Sequence, residues 1–391
     1  MYPHQAERLS AVLDREGLEA LVATAPENLC YVTGFRSLIQ ASYRGMELFG
    51  IFTRRGTALV VPAGDVPTVA AEGVEVDHVG CYGRLFFGLA ERADETARRV
   101  QEWIRQPAAT AADALAAALE ALGVRQGRVG LDEGGLGPAA WRRIAERLAG
   151  LSLIEAGTYF GAARVIKGPW EIECLQRALH IAEESVNAVI QMLEPGVTER
   201  EAALVYQAEV ARRGAEPFAV VLLFGERAAI LAIGPSGCAL KTGDLVRFDL
   251  GCVYQGYYSH LGRTAVMREP KARQQQVWDA IQRGLEAAID AIGPGVAAGR
   301  IFDVAIEATR KAGLAHYDRG HVGHGIGLAG YERPKLAPGN DARVEAGMVL
   351  RVETPYYEPG WGGLHIKDTV LVTRGGASVM NRSARGLVVL D

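Results

Sequence analysis

The chain has 391 residues, 49% of them hydrophobic and 23% charged, with a formal net charge of -4. That length allows two or three domains with ordinary cores. The slight acidity supplies no basic field for nucleic acid, and no apolar run approaches the roughly 18 residues of a membrane span. The opening "MYPHQAERLSAVLDREGLEALVA" has acidic residues and helical apolar spacing, unlike a basic-then-apolar leader. "LEALVAT", "LFGIFT" and "TALVVPA" read as strands. "DETARRVQEWIRQ" and "ADALAAALEAL" read as helices, and "GRVGLDE" as a short buried strand. This alternation predicts an α/β domain over residues 1–158. No GxGxxG opens a helix after a strand, which argues against a dinucleotide site. The five cysteines (Cys30, Cys81, Cys174, Cys238, Cys252) are scattered and form no CxxC pair. They read as reduced thiols, which predicts a cytoplasmic protein.

Residues 159–391 read differently. Pro169 suits the first position of a helix and Glu171 the positive end of its dipole. Ile172, Leu175, Ala178, Leu179 and Ile181 form its apolar stripe. Thr198 and Glu201 form a capping box for the next helix. Strands are expected at 218–224 and 245–266, helices near 271–292 and 299–312, and strands again from about 347 to 390.

The stretch "DLVRFDLGCVYQGYYSHLGRTAVM" predicts a hairpin turning at Tyr254-Gln255-Gly256. If Val253 pairs with Gly256, Asp249 faces His260 directly. A carboxylate between Phe248 and Leu250 is costly unless paired, and a histidine is a natural partner. "HVGHGIGL" sets His321 and His324 beside glycines, and "MVLRVETPYY" places Glu353 in an apolar strand. In "GLHIKDTVLV", His365 and Lys367 are two apart and share a strand face. If 347–357 folds back on 363–372, Glu353 and Lys367 come face to face. Asp249, His260, His324, Glu353, His365 and Lys367 then form one polar cluster on strands. Such a cluster costs too much desolvation to be a common accident.

These motifs resemble the pita-bread fold family of methionine aminopeptidase, prolidase, aminopeptidase P and creatinase. The chain is most similar to the creatinase/prolidase branch, which carries an α/β domain ahead of an α+β pita-bread catalytic domain. "NLCYVTGF" (28–35) is like that branch's strand and turn, and "ARVIKGPWEIECLQRA" (163–178) is like its entry into the catalytic domain. The family's peptidases hold two metal ions with Asp, Asp, His, Glu and Glu. The resemblance carries the first Asp onto Asp249, the His onto His324 and the first Glu onto Glu353. The second Asp is His260, the bridging Glu is Lys367, and an arginine often found two residues before it is His365. A histidine that assists catalysis is Tyr331, and an upstream histidine is missing from "GERAAILAIGP".

A protonated lysine has no lone pair and repels a dication. The expectation is therefore no dinuclear pair and no cofactor, with Lys367 paired to Asp249 or Glu353. The resemblance to creatinase then implies metal-free hydrolysis of a C–N bond in a small polar amidino, ureido or amide compound. His324 would carry the proton, Glu353 would orient it or the water, and Lys367 or His365 would stabilise negative charge. Gly262 stands where creatinase has a glutamate, so creatine itself is not expected. The alternatives are one divalent transition-metal ion on His260, His324 and Glu353, with Xaa-Pro dipeptidase-like activity, and a catalytically inactive small-molecule-binding homologue. His321, Tyr258, Tyr331 and His365 are candidates for substrate contact, and Trp361 with Tyr356 or Tyr357 for shaping the pocket. The resemblance also implies a homodimer in which the N-terminal domain of one subunit reaches the other's site. Arg44 or Arg36 is the candidate anion clamp there.

Overall fold

The computed structural model describes residues 1–43 and 45–391, so Arg44 lies outside the described residues. The chain forms two compact units, Met1–Arg164 and Val165–Asp391. The division falls six residues after the expected one, because the helix Gly157–Arg164 belongs to the first unit. There Tyr31 donates its hydroxyl to the Ala163 carbonyl at 3.2 Å. The second unit begins where Lys167 N–H bonds the Gly347 carbonyl at 2.8 Å.

The first unit is built on a six-stranded mixed sheet. Its strand order is His78–Tyr82, Gly56–Pro62, Phe49–Thr53, Ala20–Ala23, Arg128–Leu131, Ser152–Glu155. The segment read as a strand at 28–35 is instead the helix Pro26–Thr33. Val32 and Thr33 favour strands, but the ends decide otherwise. Pro26 sits in the first turn, and Gly34 closes the last with φ 74° and an N–H bond to the Cys30 carbonyl.

The second unit is built on a ten-stranded sheet. Its main path runs Glu332–Lys335, Gly323–Gly325, Val349–Glu353, Lys367–Thr373, Leu261–Met267, Leu245–Tyr254, Glu216–Phe224. Two helix pairs cover it. Pro169–Ile190 and Glu199–Arg212 bury Ala178, Ile181 and Tyr206 with Phe224, Phe248 and Leu250. Ala272–Asp290 and Ala298–Lys311 bury Trp278, Ile281 and Phe302 with Leu350, Val352, Ile366 and Val370. Each large side chain so buried contributes about 1.5–3 kcal/mol. The capping expected at Thr198 is present, with Glu201 accepting from its N–H at 2.8 Å. Side chains alternate across a strand. With Phe248 and Leu250, Val352, and Leu364 and Ile366 turned to the helices, Asp249, Glu353, His365 and Lys367 point to the other face. Among the described residues, no helix is long and apolar enough to cross a membrane.

Candidate active site

The hairpin turn lies one residue further along the chain than the Val253–Gly256 pairing places it. Tyr254 pairs with Tyr257 around a two-residue loop, Gln255-Gly256, both with positive φ (51° and 84°). That is the hairpin turn whose twist matches the strands. The register therefore shifts by two, and Asp249 faces Gly262, not His260. His260 becomes the diagonal neighbour on the same face, and its Nε2 still lies 2.7 Å from Asp249 Oδ1.

The true register aligns four positions across four strands. Glu353 pairs with Lys367, Lys367 with Gly262, and Gly262 with Asp249. The glycine is required there. A Cβ on Gly262 would stand 2.6 Å from Lys367 Cβ and 2.8 Å from His365 Cδ2. With no side chain in the way, the ammonium of Lys367 reaches Asp249 Oδ1 at 2.7 Å and Glu353 Oε2 at 3.3 Å. Gly262→Ala is expected to cost about 1–3 kcal/mol by overpacking. Chemical denaturation measures it, and an unchanged midpoint would contradict this packing.

His365 lies 3.4 Å from both Asp249 Oδ2 and Glu353 Oε2, and Tyr357 Oη lies 3.2 Å from its Nδ1. Three arginines complete the cluster, and the sequence reading missed all of them. Arg319 donates to Glu353 Oε1 at 3.1 Å. Arg351 lies 3.8 Å from Glu353 Oε2 and donates to His260 Nδ1. Arg247 is fully buried, 4.0 Å from Asp249 Oδ2, and lies over the Tyr357 ring. The signal was available: Arg247 and Arg351 each stand two residues before a candidate carboxylate, hence on its strand face.

Burial alone would raise both carboxyl groups, but their cationic neighbours outweigh it. His365 and Lys367 hold Asp249 well below the usual carboxylate range. Lys367, His365 and Arg351 do the same for Glu353. Burial, reinforced by Arg351, pulls the Lys367 ammonium below the ordinary lysine value, while Asp249 and Glu353 oppose the shift. Burial and then Lys367 pull His260 down to about 3, so it is neutral at pH 7. A guanidinium can only donate. His260 Nδ1 therefore accepts from Arg351, and its Nε2–H faces Asp249.

His324 pairs across the ladder with Arg351, on the same face. Its Nδ1 donates to the Gly325 carbonyl at 2.7 Å, which leaves Nε2 bare, buried and without a partner. Burial and Arg351 pull its pKa down to about 2. Tyr331, half exposed, stacks on it with ring centroids 3.6 Å apart. His321 stands edge-on to both rings at 6.0 Å. Tyr258 packs against Phe218, which in turn lies 6.0 Å from the His260 ring. A bulge between Phe218 and Val221, with Ala219 at φ 48°, bends this edge strand beside the site. Tyr357 joins the cluster, whereas Tyr356 and Trp361 pack together with Arg273 over the Trp361 ring. His316 is exposed, and His180 lies on a helix beside Gln176.

As folded, this donor set does not fit a pair of divalent ions. Every oxygen of Asp249 and Glu353 already faces lysine, arginine or histidine, and an ammonium stands between the two carboxylates. Nor does His260 keep a free lone pair for a single ion, because Arg351 occupies it.

The description "Metallopeptidase family M24" matches residues 173–374, and "Creatinase/Prolidase N-terminal domain" matches residues 5–166. The chain is 33% identical over 227 residues to an Xaa-Pro dipeptidase of Pyrococcus furiosus. That match covers 58% of this chain and 65% of the relative, just under two thirds of its length. The chain is 31% identical over 394 residues to "Probable dipeptidase PepE" of Mycobacterium tuberculosis, covering 100% of this chain and 97% of that one. The solved structure of dipeptidase PepE from Mycobacterium ulcerans superposes with a TM-score of 0.77 at 26% identity, covering 100% and 99% of the two chains. An Xaa-Pro dipeptidase from Bacillus anthracis superposes at 0.81 over 99% of each chain; at 22% identity, that likeness speaks to fold alone.

Proposed function

The chain belongs to metallopeptidase family M24, with a creatinase/prolidase N-terminal domain ahead of a pita-bread catalytic domain, and from that membership we propose that it hydrolyses a C–N bond in a small substrate with the Lys367 ammonium in place of a metal pair. One observation carries this reading: Lys367 Nζ bridges Asp249 and Glu353 at 2.7 and 3.3 Å. A fixed cation in a dry site stabilises negative charge developing on the carbonyl oxygen. His324 Nε2, bare and neutral, accepts a hydrogen bond from the attacking water. Its proton affinity is low, so the proton passes on to the departing nitrogen instead of being stored. The water oxygen bonds to carbon, the nitrogen takes the proton, and the C–N bond breaks. Arg319 and Arg351 hold Glu353, and Tyr357 holds His365, so the charges stay aimed.

A second reading keeps one divalent ion on His260, His324 and Glu353, with Xaa-Pro dipeptidase activity. The names of the relatives favour that activity. The Nδ1–H bond of His324 to a backbone carbonyl is also a common support for a ligating histidine. This reading requires Arg351 to release His260.

Elemental analysis of protein purified without added metal separates the two. Well under one equivalent is expected, with turnover of C–N substrates unchanged by chelator; Xaa-Pro dipeptides are tested first, then cyclic amide and ureido compounds. One equivalent, lost in His260→Ala, would establish the second reading, and two would overturn both. The family resemblance also supports a homodimer. Light scattering is then expected to give twice the 41.9 kDa chain mass, and a monomer mass would remove that part of the proposal.

A further inference from the structure

Next to the row of charges lies a second row, two residues along each strand. His324 pairs with Arg351, and Arg351 pairs with Thr369. Facing residues share a face, with Cβ atoms roughly 5 Å apart. His324 is 0%, Arg351 7% and Thr369 3% exposed. In each, one buried side-chain atom has no hydrogen-bond partner: His324 Nε2, Arg351 Nε and Thr369 Oγ1. Buried polar groups are nearly always paired, and each one left alone costs about 1–3 kcal/mol. Three in one row, against the candidate catalytic cations, mark a place built for a polar ligand.

The chemistry of the row is ordered. His324 Nδ1–H is spent on the Gly325 carbonyl, so Nε2 can only accept. Arg351 Nε–H can only donate. The hydroxyl of Thr369 can accept. Read across the strands, the sequence is acceptor, donor, acceptor. Its complement is N–H, C=O, N–H, or the first two of these, displayed along one edge. A cyclic urea shows all three and a lactam shows two. The imide nitrogen of an Xaa-Pro bond carries no hydrogen and leaves His324 Nε2 unanswered.

We infer that His324, Arg351 and Thr369 form a recognition edge for a cyclic ureido or lactam group with a free N–H beside its carbonyl. The inference rests on the metal-free reading of the site and names the substrate class for it. With the carbonyl on Arg351 and the ring N–H on His324 Nε2, the ring is seated in the row next to Lys367 in the ground-state complex. For turnover the attacking water replaces the N–H on Nε2 as the carbonyl oxygen shifts toward Lys367.

The test measures binding, not turnover, so the two proposals can fail separately. The probe is 2-imidazolidinone, followed by ligand-observed NMR on chelator-treated protein. Its 1,3-dimethyl derivative, which keeps the ring and carbonyl but has no N–H, is the control. Saturable binding of the probe is expected, with the dimethyl compound at least tenfold weaker. Thr369→Val keeps the shape and strand preference, and should weaken the probe by about three- to tenfold, as one lost neutral hydrogen bond does. Equal binding of the two compounds overturns the inference, and so does absence of saturable binding by the probe. The dimethyl control on the unaltered protein keeps the test independent of how any variant folds. Turnover of glycyl-proline without probe binding would sink the inference and leave the hydrolase reading standing. Probe binding with no turnover of any C–N compound would do the reverse.

Discussion

Replacing Lys367 by methionine is expected to lower the unfolding free energy by about 3–5 kcal/mol at pH 7, the usual cost of removing one partner from a buried ion pair. Methionine fills much of the space left by the lysine stem, so the loss reports charge rather than a cavity. The ammonium is the nearest cation to Asp249 and stands between it and Glu353. Without it, burial would push both carboxyl groups up toward their neutral forms. The deficit should therefore shrink as pH falls below about 5, where the variant's carboxylates take up protons while those of the parent stay ionised. Guanidinium denaturation of both proteins from pH 7 to pH 4 measures this. A loss below about 1 kcal/mol, or one that does not change with pH, would mean the arginines alone neutralise the pair. Activity should be lost in the same variant, because the positive charge facing the substrate is gone.

Acid should destabilise the parent protein well before its carboxylates titrate. His260 and His324 are held neutral in the fold, with pKa values near 3 and 2, against about 6.5 when unfolded. Between those limits the unfolded chain binds more protons than the folded one, so stability falls as pH falls. Each histidine contributes a slope approaching about 1.4 kcal/mol per pH unit below pH 6.5, about 2.7 for both. Asp249 and Glu353 add to the fall only below their unfolded values near 4. Asp65 and Asp244, raised by burial, act in the opposite direction just above pH 3.8. The clean window is therefore about pH 6.5 to 5. His78 and His321, also pulled below the ordinary value by burial, add to the fall there. In His324→Gln the slope should therefore drop by one histidine's share, up to about 1.4 kcal/mol per pH unit. A flat profile in the parent protein would show that these histidines are charged in the folded state.

Much of this site was legible in the sequence because buried charges stand out in apolar strands. Asp249, Glu353 and Lys367 each follow a residue now in a core, so period-two alternation placed them on one face. What misled was local geometry. Moving a two-residue loop one position along the chain, from Tyr254-Gln255 to Gln255-Gly256, shifts the register by two, and nothing in Tyr254-Gln255-Gly256-Tyr257 announces positive φ at Gln255. The Asp249–His260 contact is present all the same, because the diagonal neighbour is within reach of a histidine. The helix at Pro26–Thr33 was misread from strand-forming residues while its end signals, Pro26 and Gly34, were passed over. The arginines were overlooked although Arg247 and Arg351 share the strand faces of Asp249 and Glu353. Alone, an arginine reads as surface, and only the pairing of strands shows Arg247 buried or Arg351 bridging His260 to Glu353.

The charge row also acts as a key during folding. The hairpin of Val349–Glu353 and Lys367–Thr373 keeps one register through Tyr356–Leu364 and Glu353–Lys367. Its outer strands are rich in valine and leucine, which by themselves tolerate sliding. A slip of one residue would turn Glu353 toward Ile366 or Asp368, leaving a buried carboxylate against a hydrocarbon or a like charge. A slip of two would carry it past Lys367 to His365 or Thr369 and strand the ammonium. Both errors are penalised by several kcal/mol, so only one alignment survives compaction. The same lysine that replaces a metal in the proposed chemistry thereby fixes which strand positions meet.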